Sequence, residues 1–389
     1  MQLLGGLTVE RFLAEHWQKK PLLVRSALPH VVPPLSPDEL AGLACETEVE
    51  SRIVVRHADP ARPYSLRQGP FNETDFAALP ARDWTLLVQD CDKQAPSTAA
   101  FLDPFRFIPD WRIDDLMISF ATAGGGVGPH VDQYDVFLVQ VLGRRRWQIA
   151  ASRPTAREIV GLDLRVLAEF TPEQEWVLEP GDMLYLPPGV PHHGEALDDC
   201  MTCSIGFRAP TVREMYGDLA ALIHGSIAEG ARYSDPDLRA EHARPRGRIA
   251  PTALAAVRQQ VREHLRPTDQ ELDTWFARFA TEPKPGLRPT PPDQPLDPET
   301  LAEELHAGAW LMRDPRALLA WIELPGGDLL LAADGAGHPL PATLRPLAEL
   351  LCTSPECPPQ ALGRYLGDPQ ARALLAALQN QGTLELETR

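Results

Sequence analysis

The sequence predicts a mixed β plus α protein: a β-barrel core within residues 1–210, a helical domain over 211–282 and a small mixed domain at 299–389. Three observations carry this reading. Short apolar runs such as DDLMISF, YDVFLVQVL, MLYL and MTCSIGF, bounded by Gly, Pro and Asp, read as strands. Behind them, apolar residues recur at helical spacing after capping-box signatures. The stretch PKPGLRPTPPDQPLDP (283–298) is then a linker, because its prolines suit neither a helix interior nor a central strand.

Within the barrel, GGGVGPHVDQYDVF places His130 and Asp132 two residues apart. The run from His130 to Leu142 reads as one strand, in which residues two apart share a face. His130 and Asp132 then aim into one cavity with Tyr134, Val136, Leu138 and Gln140, while Gln133 and Asp135 point the other way. An HxD pair by itself is more often a satisfied polar pair than a ligand set. The second segment, EPGDMLYLPPGVPHHG, changes the odds. Its Gly181, Pro187, Gly189 and His192 follow the pattern of the second metal-binding motif of cupin barrels. Gly181 and Asp182 turn the chain, Met183 to Leu186 form a strand, and Pro187, Pro188 and Gly189 end it, presenting His192. His193 ranks below His192 as the third ligand because the motif spacing falls on His192.

Two imidazoles and one carboxylate on one face of Fe(II) leave three positions open, enough for a bidentate co-substrate and dioxygen. A structural zinc site would instead be closed by four ligands, Cys among them. The segment LGRRRWQIA supplies an anchor. Gly143 turns the chain, and with Trp147 and Ile149 inward Arg145 is inward as well, while Arg144, Arg146 and Gln148 face out. An arginine inside a barrel calls for an anion, and its fork matches a carboxylate. The distal carboxylate of 2-oxoglutarate fits, and Arg144 and Arg146 read as a solvated basic turn.

These stretches, with DWRIDDLMISF, SIGFRAP and FLAEHWQKKPLLV, resemble the JmjC-type 2-oxoglutarate oxygenases, and within them the bacterial ribosomal oxygenases that hydroxylate an arginine. An Arg at 145, where the histidine-hydroxylating relatives usually carry Lys, favours the bacterial branch. The resemblance implies a cupin-type double-stranded β-helix (JmjC) core binding Fe(II) through His130, Asp132 and His192, with Arg145 holding 2-oxoglutarate. It implies oxidative decarboxylation of 2-oxoglutarate to succinate and carbon dioxide, coupled by dioxygen to hydroxylation of an arginine β-carbon in large-subunit ribosomal protein sixteen. It further implies a helical dimerisation domain, hence a homodimer, and a C-terminal winged-helix-like domain.

Strand parity outlines the pocket. Asp115, Met117 and Ser119 share a face, and a buried carboxylate there would pair with a guanidinium through two hydrogen bonds. Asp115 is the candidate partner and Asp114 its rival. Tyr134 would hold the substrate backbone or flank its aliphatic stem. Thr202 and Ser204 share a face, with Thr202 nearer 2-oxoglutarate and Ser204 nearer substrate. For each, a purely structural hydrogen-bonded role is the competing reading.

Composition agrees. A chain of 389 residues suits about two or three domains. No apolar stretch reaches the roughly 18 residues of a membrane span. MQLLGGLTVERF has neither a basic start nor a cleavage site, so a cytoplasmic protein is expected. The net charge of −17 argues against a nucleic-acid surface and suits a basic partner, although acidity also simply favours solubility. Cys200 and Cys203 form a CxxC with no second one to complete a zinc site, and Cys352 and Cys357 bracket a turn that would let them approach each other. Reduced thiols are expected in the cytosol.

After the barrel, a capping box at Thr211 and Glu214 opens a helix with Val212, Met215, Leu219 and Leu222. A loop carrying SDPD and HARPRGR follows. Leu254, Val257, Val261 and Leu265 mark a second helix, and Thr268 and Glu271 cap a third with Leu272, Trp275, Phe276 and Phe279. Such amphipathic helices need a surface to bury against, either a second copy or the chain's own barrel. Asp297 caps a further helix with Pro298 in its first turn. Beyond it, helical runs alternate with strands around WIEL and DLLLAA and offer no basic recognition helix. Three functions therefore compete: an arginine hydroxylase, a JmjC histidine hydroxylase or demethylase, and a non-catalytic metal-binding cupin scaffold. The third has no need of both a ligand triad and Arg145.

Overall fold

The computed structural model describes residues 2–150, 157–230, 232–234 and 248–388 and resolves into two units, Met1–Ala209 and Pro210–Arg389. Apart from Ser234 and Arg248, the SDPD and HARPRGR segments lie outside the described residues.

The first unit opens with α1 (Val9–Glu15), β1 (Leu22–Val24), α2 (Pro37–Leu43), β2 (Ser51–Arg56), β3 (Tyr64–Gln68), α3 (Glu73–Ala77), β4 (Trp84–Val88) and α4 (Cys91–Gln94). After two 3-10 segments come β5 (Ile113–Ala121), β6 (His130–Val131), β7 (Val136–Leu142), β8 (Arg145–Ile149), β9 (Gln174–Leu178), β10 (Met183–Leu186), β11 (Pro191–Ala196) and β12 (Cys200–Phe207). They form an eight-stranded sheet, β1-β10-β7-β12-β5-β4-β2-β3, and a four-stranded sheet, β6-β11-β8-β9. Every pairing in both sheets is antiparallel.

The strands at the centre of the large sheet are apolar on both faces because both faces are covered. Val136, Leu138, Leu184 and Leu186 pack on Trp147, Ile149 and Leu178 of the small sheet, so the two sheets enclose a common interior. On the opposite face, Phe137, Val139, Met183, Tyr185, Cys203, Ile205 and Phe207 pack with Phe12, Leu40, Leu102 and Phe105 of the N-terminal segments. This is the double-stranded β-helix architecture, with an apolar outer layer on its larger sheet. The large sheet also extends further toward the N-terminus than the sequence pattern indicated, through β4, β2 and β3.

One expected strand is two. The run from His130 to Leu142 breaks at residues 132–135, because β6 belongs to the small sheet and β7 to the large one, and the chain must cross between them. Asp135 points away from the barrel interior, as expected, and is fully buried in the outer layer. There Tyr185 donates to its Oδ1 (2.6 Å) and the Gln18 amide to its Oδ2 (3.0 Å).

The second unit contains α5 (Val212–Ser226), α6 (Pro251–His264), α7 (Asp269–Ala280) and α8 (Pro298–Ala307). Both expected capping boxes are present, at Thr211–Glu214 and Thr268–Glu271, and Asp297 caps α8. Two three-stranded sheets follow: β13 (Trp310–Arg313), β17 (Glu356–Cys357) and β18 (Leu384–Glu387) make one, and β14 (Leu319–Glu323), β15 (Leu329–Ala333) and β16 (Ala336–Leu340) the other. With α9 (Arg345–Thr353), α10 (Pro359–Leu362) and α11 (Pro369–Asn380) they close around Leu305, Leu311, Leu331, Leu347 and Leu375. Helix α7 buries Ala277 against Leu330 and Ala332 of β15. All six cysteines are thiols, so the Cys352–Cys357 approach forms no disulfide. Among the described residues no helix is long and apolar enough to cross a membrane.

The Tyr185 hydroxyl also accepts from the Gln18 backbone N–H (2.8 Å), so Tyr185→Phe removes two hydrogen bonds, one of them to the buried Asp135 carboxylate. A loss of about 1–3 kcal/mol is expected in urea unfolding. Unchanged stability would show that this contact contributes nothing to the outer layer.

Candidate active site

The register of β11 against β6 sets His192 directly opposite His130, and their rings lie 4.1 Å apart between centroids. Each imidazole is oriented the same way. His130 Nδ1 lies 3.0 Å from the Gly128 carbonyl and His192 Nδ1 3.0 Å from the Val190 carbonyl. A carbonyl only accepts, so Nδ1 carries the proton in both rings and Nε2 presents its lone pair. Those Nε2 atoms lie 3.8 and 3.6 Å from Asp132 Oδ2. Burial first, then the neighbouring His130, lowers the His192 pKa to about 4, so the ring is neutral near pH 7. His193, one residue on, faces Gln148 across the sheet and Phe170, away from this cluster.

Asp132 reaches the cluster from the crossing between the sheets, not by strand parity. Its backbone carbonyl accepts from the Gly189 N–H (2.7 Å), which ties the first motif to the turn of the second. Gly189 sits at φ +79°, a conformation that side-chain-bearing residues rarely adopt. Gly194 has a different reason to be small: a Cβ there would lie 2.8 Å from the Trp147 ring.

One ligand atom from each of His130, Asp132 and His192 lies within 4.8 Å of the others. Two nitrogens and one oxygen at this spacing can hold a divalent ion at about 2 Å from each while leaving its other side open. The donor set therefore fits Fe(II).

Arg145 is buried, as its alternation with Trp147 and Ile149 predicted. Its Nη1 donates to Ser119 Oγ (3.3 Å) and Thr202 Oγ1 (3.2 Å), and Thr202 in turn donates to Gln140 Oε1 (3.0 Å). Its Nε and the neighbouring Trp147 Nε1 are buried N–H groups with no hydrogen-bond partner in the protein. Among the described residues no carboxylate pairs with Arg145, so a buried cation with an unsatisfied donor awaits an anion. The outward arginines are paired more than expected: Arg144 binds Asp198 (2.8 Å), and Arg146 lies between Glu175 and Glu195.

The pairing of β5 with β12 and of β12 with β7 aligns the interior rows. Ser119, Thr202 and Gln140 form the row at Arg145; Met117, Ser204 and Leu138 form the next; Asp115, Gly206 and Val136 form the third. Asp115 is buried on this inner face, whereas Asp114 alternates to the other. Tyr134 lies in the crossing beside Asp132, 42% exposed. Its pKa is raised by burial first and then by the carboxylates of Asp132 and Asp115. Sequence reasoning missed Gln89 and Arg52. With its amide oriented to satisfy both ends, Gln89 donates to Asp115 Oδ2 (3.2 Å) and accepts from Arg52 (3.1 Å). The alternation in SRIVVR was the available signal, since it marks a strand with Arg52 on one face.

A double-stranded β-helix with a His-Asp-His cluster and a buried arginine deeper in the same interior defines a 2-oxoglutarate-dependent oxygenase. Comparison with known proteins agrees. Residues 100–215 match the JmjC domain, residues 258–385 the ROXA-like winged helix, and residues 171–271 the AraC-like ligand binding domain. The chain is 38% identical to ribosomal protein uL16 3-hydroxylase of Escherichia coli, over 95% of each chain. It is 33% identical to a probable ribosomal oxygenase of Haemophilus influenzae, covering 82% of this chain and 80% of that one. The X-ray structure of E. coli ycfD superposes with TM-score 0.83 at 37% identity, covering 98% and 99% of the two chains. The same ribosomal oxygenase in complex with cobalt and 2-oxoglutarate gives TM-score 0.81 at 37% identity and the same coverage. The chain belongs to the JmjC ribosomal oxygenase family.

Asp132→Ala should leave the fold intact and abolish stoichiometric Co(II) binding in titration calorimetry; retained binding would remove Asp132 from the ligand set. Arg145→Ala should raise the 2-oxoglutarate requirement for succinate formation by about 10–100-fold, the loss of charge-assisted hydrogen bonds.

Proposed function

We propose that this chain hydroxylates the β-carbon of an arginine side chain in large-subunit ribosomal protein uL16, using Fe(II), 2-oxoglutarate and dioxygen. The observation that carries the arginine reading is Asp115: a buried carboxylate on the interior face, two rows from the row at Arg145. The name of the E. coli relative supplies the substrate and the 3-position, which is the β-carbon.

In this reading His130, Asp132 and His192 hold Fe(II), which, when bound, supplies the oxidising chemistry. The Nδ1–H bonds to Gly128 and Val190 keep both imidazoles in the ligating tautomer. Arg145 receives the distal carboxylate of 2-oxoglutarate, with its buried Nε–H as one donor and Thr202 holding the guanidinium in place. At the other end, Asp115 accepts two hydrogen bonds from the substrate guanidinium. Met117 and Tyr134 flank its aliphatic stem, and Ser204, opposite Met117 on the neighbouring strand, lines the floor. A demethylase would need a cage for a methylated ammonium, whereas a carboxylate matches the planar fork of arginine.

The reading extends to assembly. Val212, Tyr216 and Leu222 of α5, and Leu254, Val257, Val261 and Leu265 along α6, are large apolar residues with 42–71% of their surface exposed. Apolar stripes left exposed among the described residues suit a second copy of the chain, making residues 211–282 the dimerisation domain, 283–298 a linker and 299–389 a winged-helix-like scaffold. The basic substrate meets a chain of net charge −17, which favours encounter, and the site of action is the cytoplasm.

Incubation of recombinant uL16 with the enzyme, Fe(II), 2-oxoglutarate and air should add one oxygen to an arginine, detected by mass spectrometry and absent with Asp132→Ala. Succinate without modified arginine would redirect the search to histidine or methyl-lysine, and no succinate would favour a non-catalytic scaffold. Val257→Glu with Val261→Glu should convert a dimer to monomer in light scattering; an unchanged mass would exclude α6 from the interface.

A further inference from the structure

A second set of buried charges lies behind Asp115. Lys93, on α4, has a side chain only 7% exposed. Its Nζ donates to Asp90 Oδ1 (2.8 Å), to Asp92 Oδ2 (3.3 Å) and to the Asp114 carbonyl (2.6 Å). Each of these partners acts on Asp115 or on the residue beside it. The Asp90 backbone N–H donates to Asp115 Oδ2 (3.2 Å) from a left-handed conformation, φ 51°. Asp92 Oδ1 accepts from the Leu116 N–H (2.8 Å). The Asp114 carbonyl belongs to the peptide that enters Asp115. A left-handed conformation at a non-glycine residue persists where surrounding contacts impose it, and the bond from Lys93 to Asp90 is such a contact.

We propose that Lys93 is a positioning residue for arginine recognition: by joining Asp90, Asp92 and the Asp114 peptide, it fixes the carboxylate of Asp115 in the orientation that receives the substrate guanidinium. This rests on the reading of Asp115 as the guanidinium's partner. Bidentate pairing of two planar groups is sensitive to the tilt of either plane, so a carboxylate free to tilt would lose one of its two bonds. The Asp115 carboxylate is held at one edge by protein donors, the Asp90 N–H and Gln89, both to Oδ2. Across from it stands Gly206, where a Cβ would come within 3.0 Å of Oδ1; glycine keeps that approach open. Burial alone would lower the Lys93 pKa, but Asp92, Asp90 and Asp115 together outweigh it and raise it, so the ammonium is charged throughout the neutral range.

The test compares Lys93→Met with wild type on full-length protein, with recombinant uL16 as substrate and Asp115→Asn and Lys93→Arg as controls. Removing Lys93 alone leaves two buried carboxylates without their cation and endangers the fold. The pair Lys93→Met with Asp92→Asn lessens this, because the new side-chain amide is neutral and keeps an oxygen for the Leu116 N–H. The expected result is a rise in KM for uL16 of about tenfold, the loss of one charge-assisted hydrogen bond. Succinate should form in excess of hydroxylated arginine, while the 2-oxoglutarate KM and Co(II) affinity stay at wild-type levels and Lys93→Arg recovers part of the coupling. If the folded double variant keeps wild-type KM and coupling while Asp115→Asn loses them, the positioning role is overturned and the Asp115 reading stands. If Asp115→Asn also keeps coupling, both fall. A parallel loss of 2-oxoglutarate and Co(II) binding would make Lys93 a general structural residue and overturn the proposal.

Discussion

The site depends on one backbone ladder, the short antiparallel pairing of β6 with β11. That pairing alone brings two histidines 62 residues apart in sequence to facing positions, and its register decides which histidine is used. A slip of one residue would present His193, which lies on the other face. Because β6 is only two residues long, the ladder draws support from elsewhere, from β8 on the far side of β11 and from the Gly189–Asp132 bond across the turn.

Within the barrel the polar residues segregate. One end holds a cation, Arg145, with hydroxyls and an amide arranged around it; the other holds a carboxylate, Asp115, with Gln89, Arg52 and the Lys93 cluster behind it. Between them lie Met117, Ser204 and Leu138. The two charges come from different sheets, Arg145 from the smaller and Asp115 from the larger, and face one interior. Under the proposed function they set the direction in which an anionic co-substrate and a cationic side chain enter, and neither fits the other's end.

Much of this was legible in the sequence where local pattern determines structure. The HxD segment, the glycine and proline spacing before His192, and the alternation that turns Arg145 inward all depend on neighbouring residues, and the register of β5 and β12 follows the parity of Asp115, Met117, Thr202 and Ser204. Three features were not legible. The break between β6 and β7 follows from the chain changing sheets, which no two-residue periodicity encodes. The paired state of Arg144 and Arg146 depends on Asp198, Glu175 and Glu195, brought near only by folding. Lys93, in the short segment CDKQ, looks like an ordinary surface lysine until β5 is laid beside it.

The clasp formed by Gln18, Asp135 and Tyr185 has a consequence for the order in which the enzyme becomes competent. Gln18 is separated by 117 and 167 residues from the two side chains it holds. During synthesis this clasp therefore cannot close until the chain has been made through Tyr185. The crossing that carries Asp132 is fastened from outside by the same clasp, so the ligand cluster is braced only once both Gln18 and Tyr185 are in place. A nascent chain cut between β7 and β10 has His130 and Asp132 in place along the sequence but neither His192 nor Tyr185 of the outer buttress. A three-ligand centre thereby requires the chain to have been made at least as far as His192.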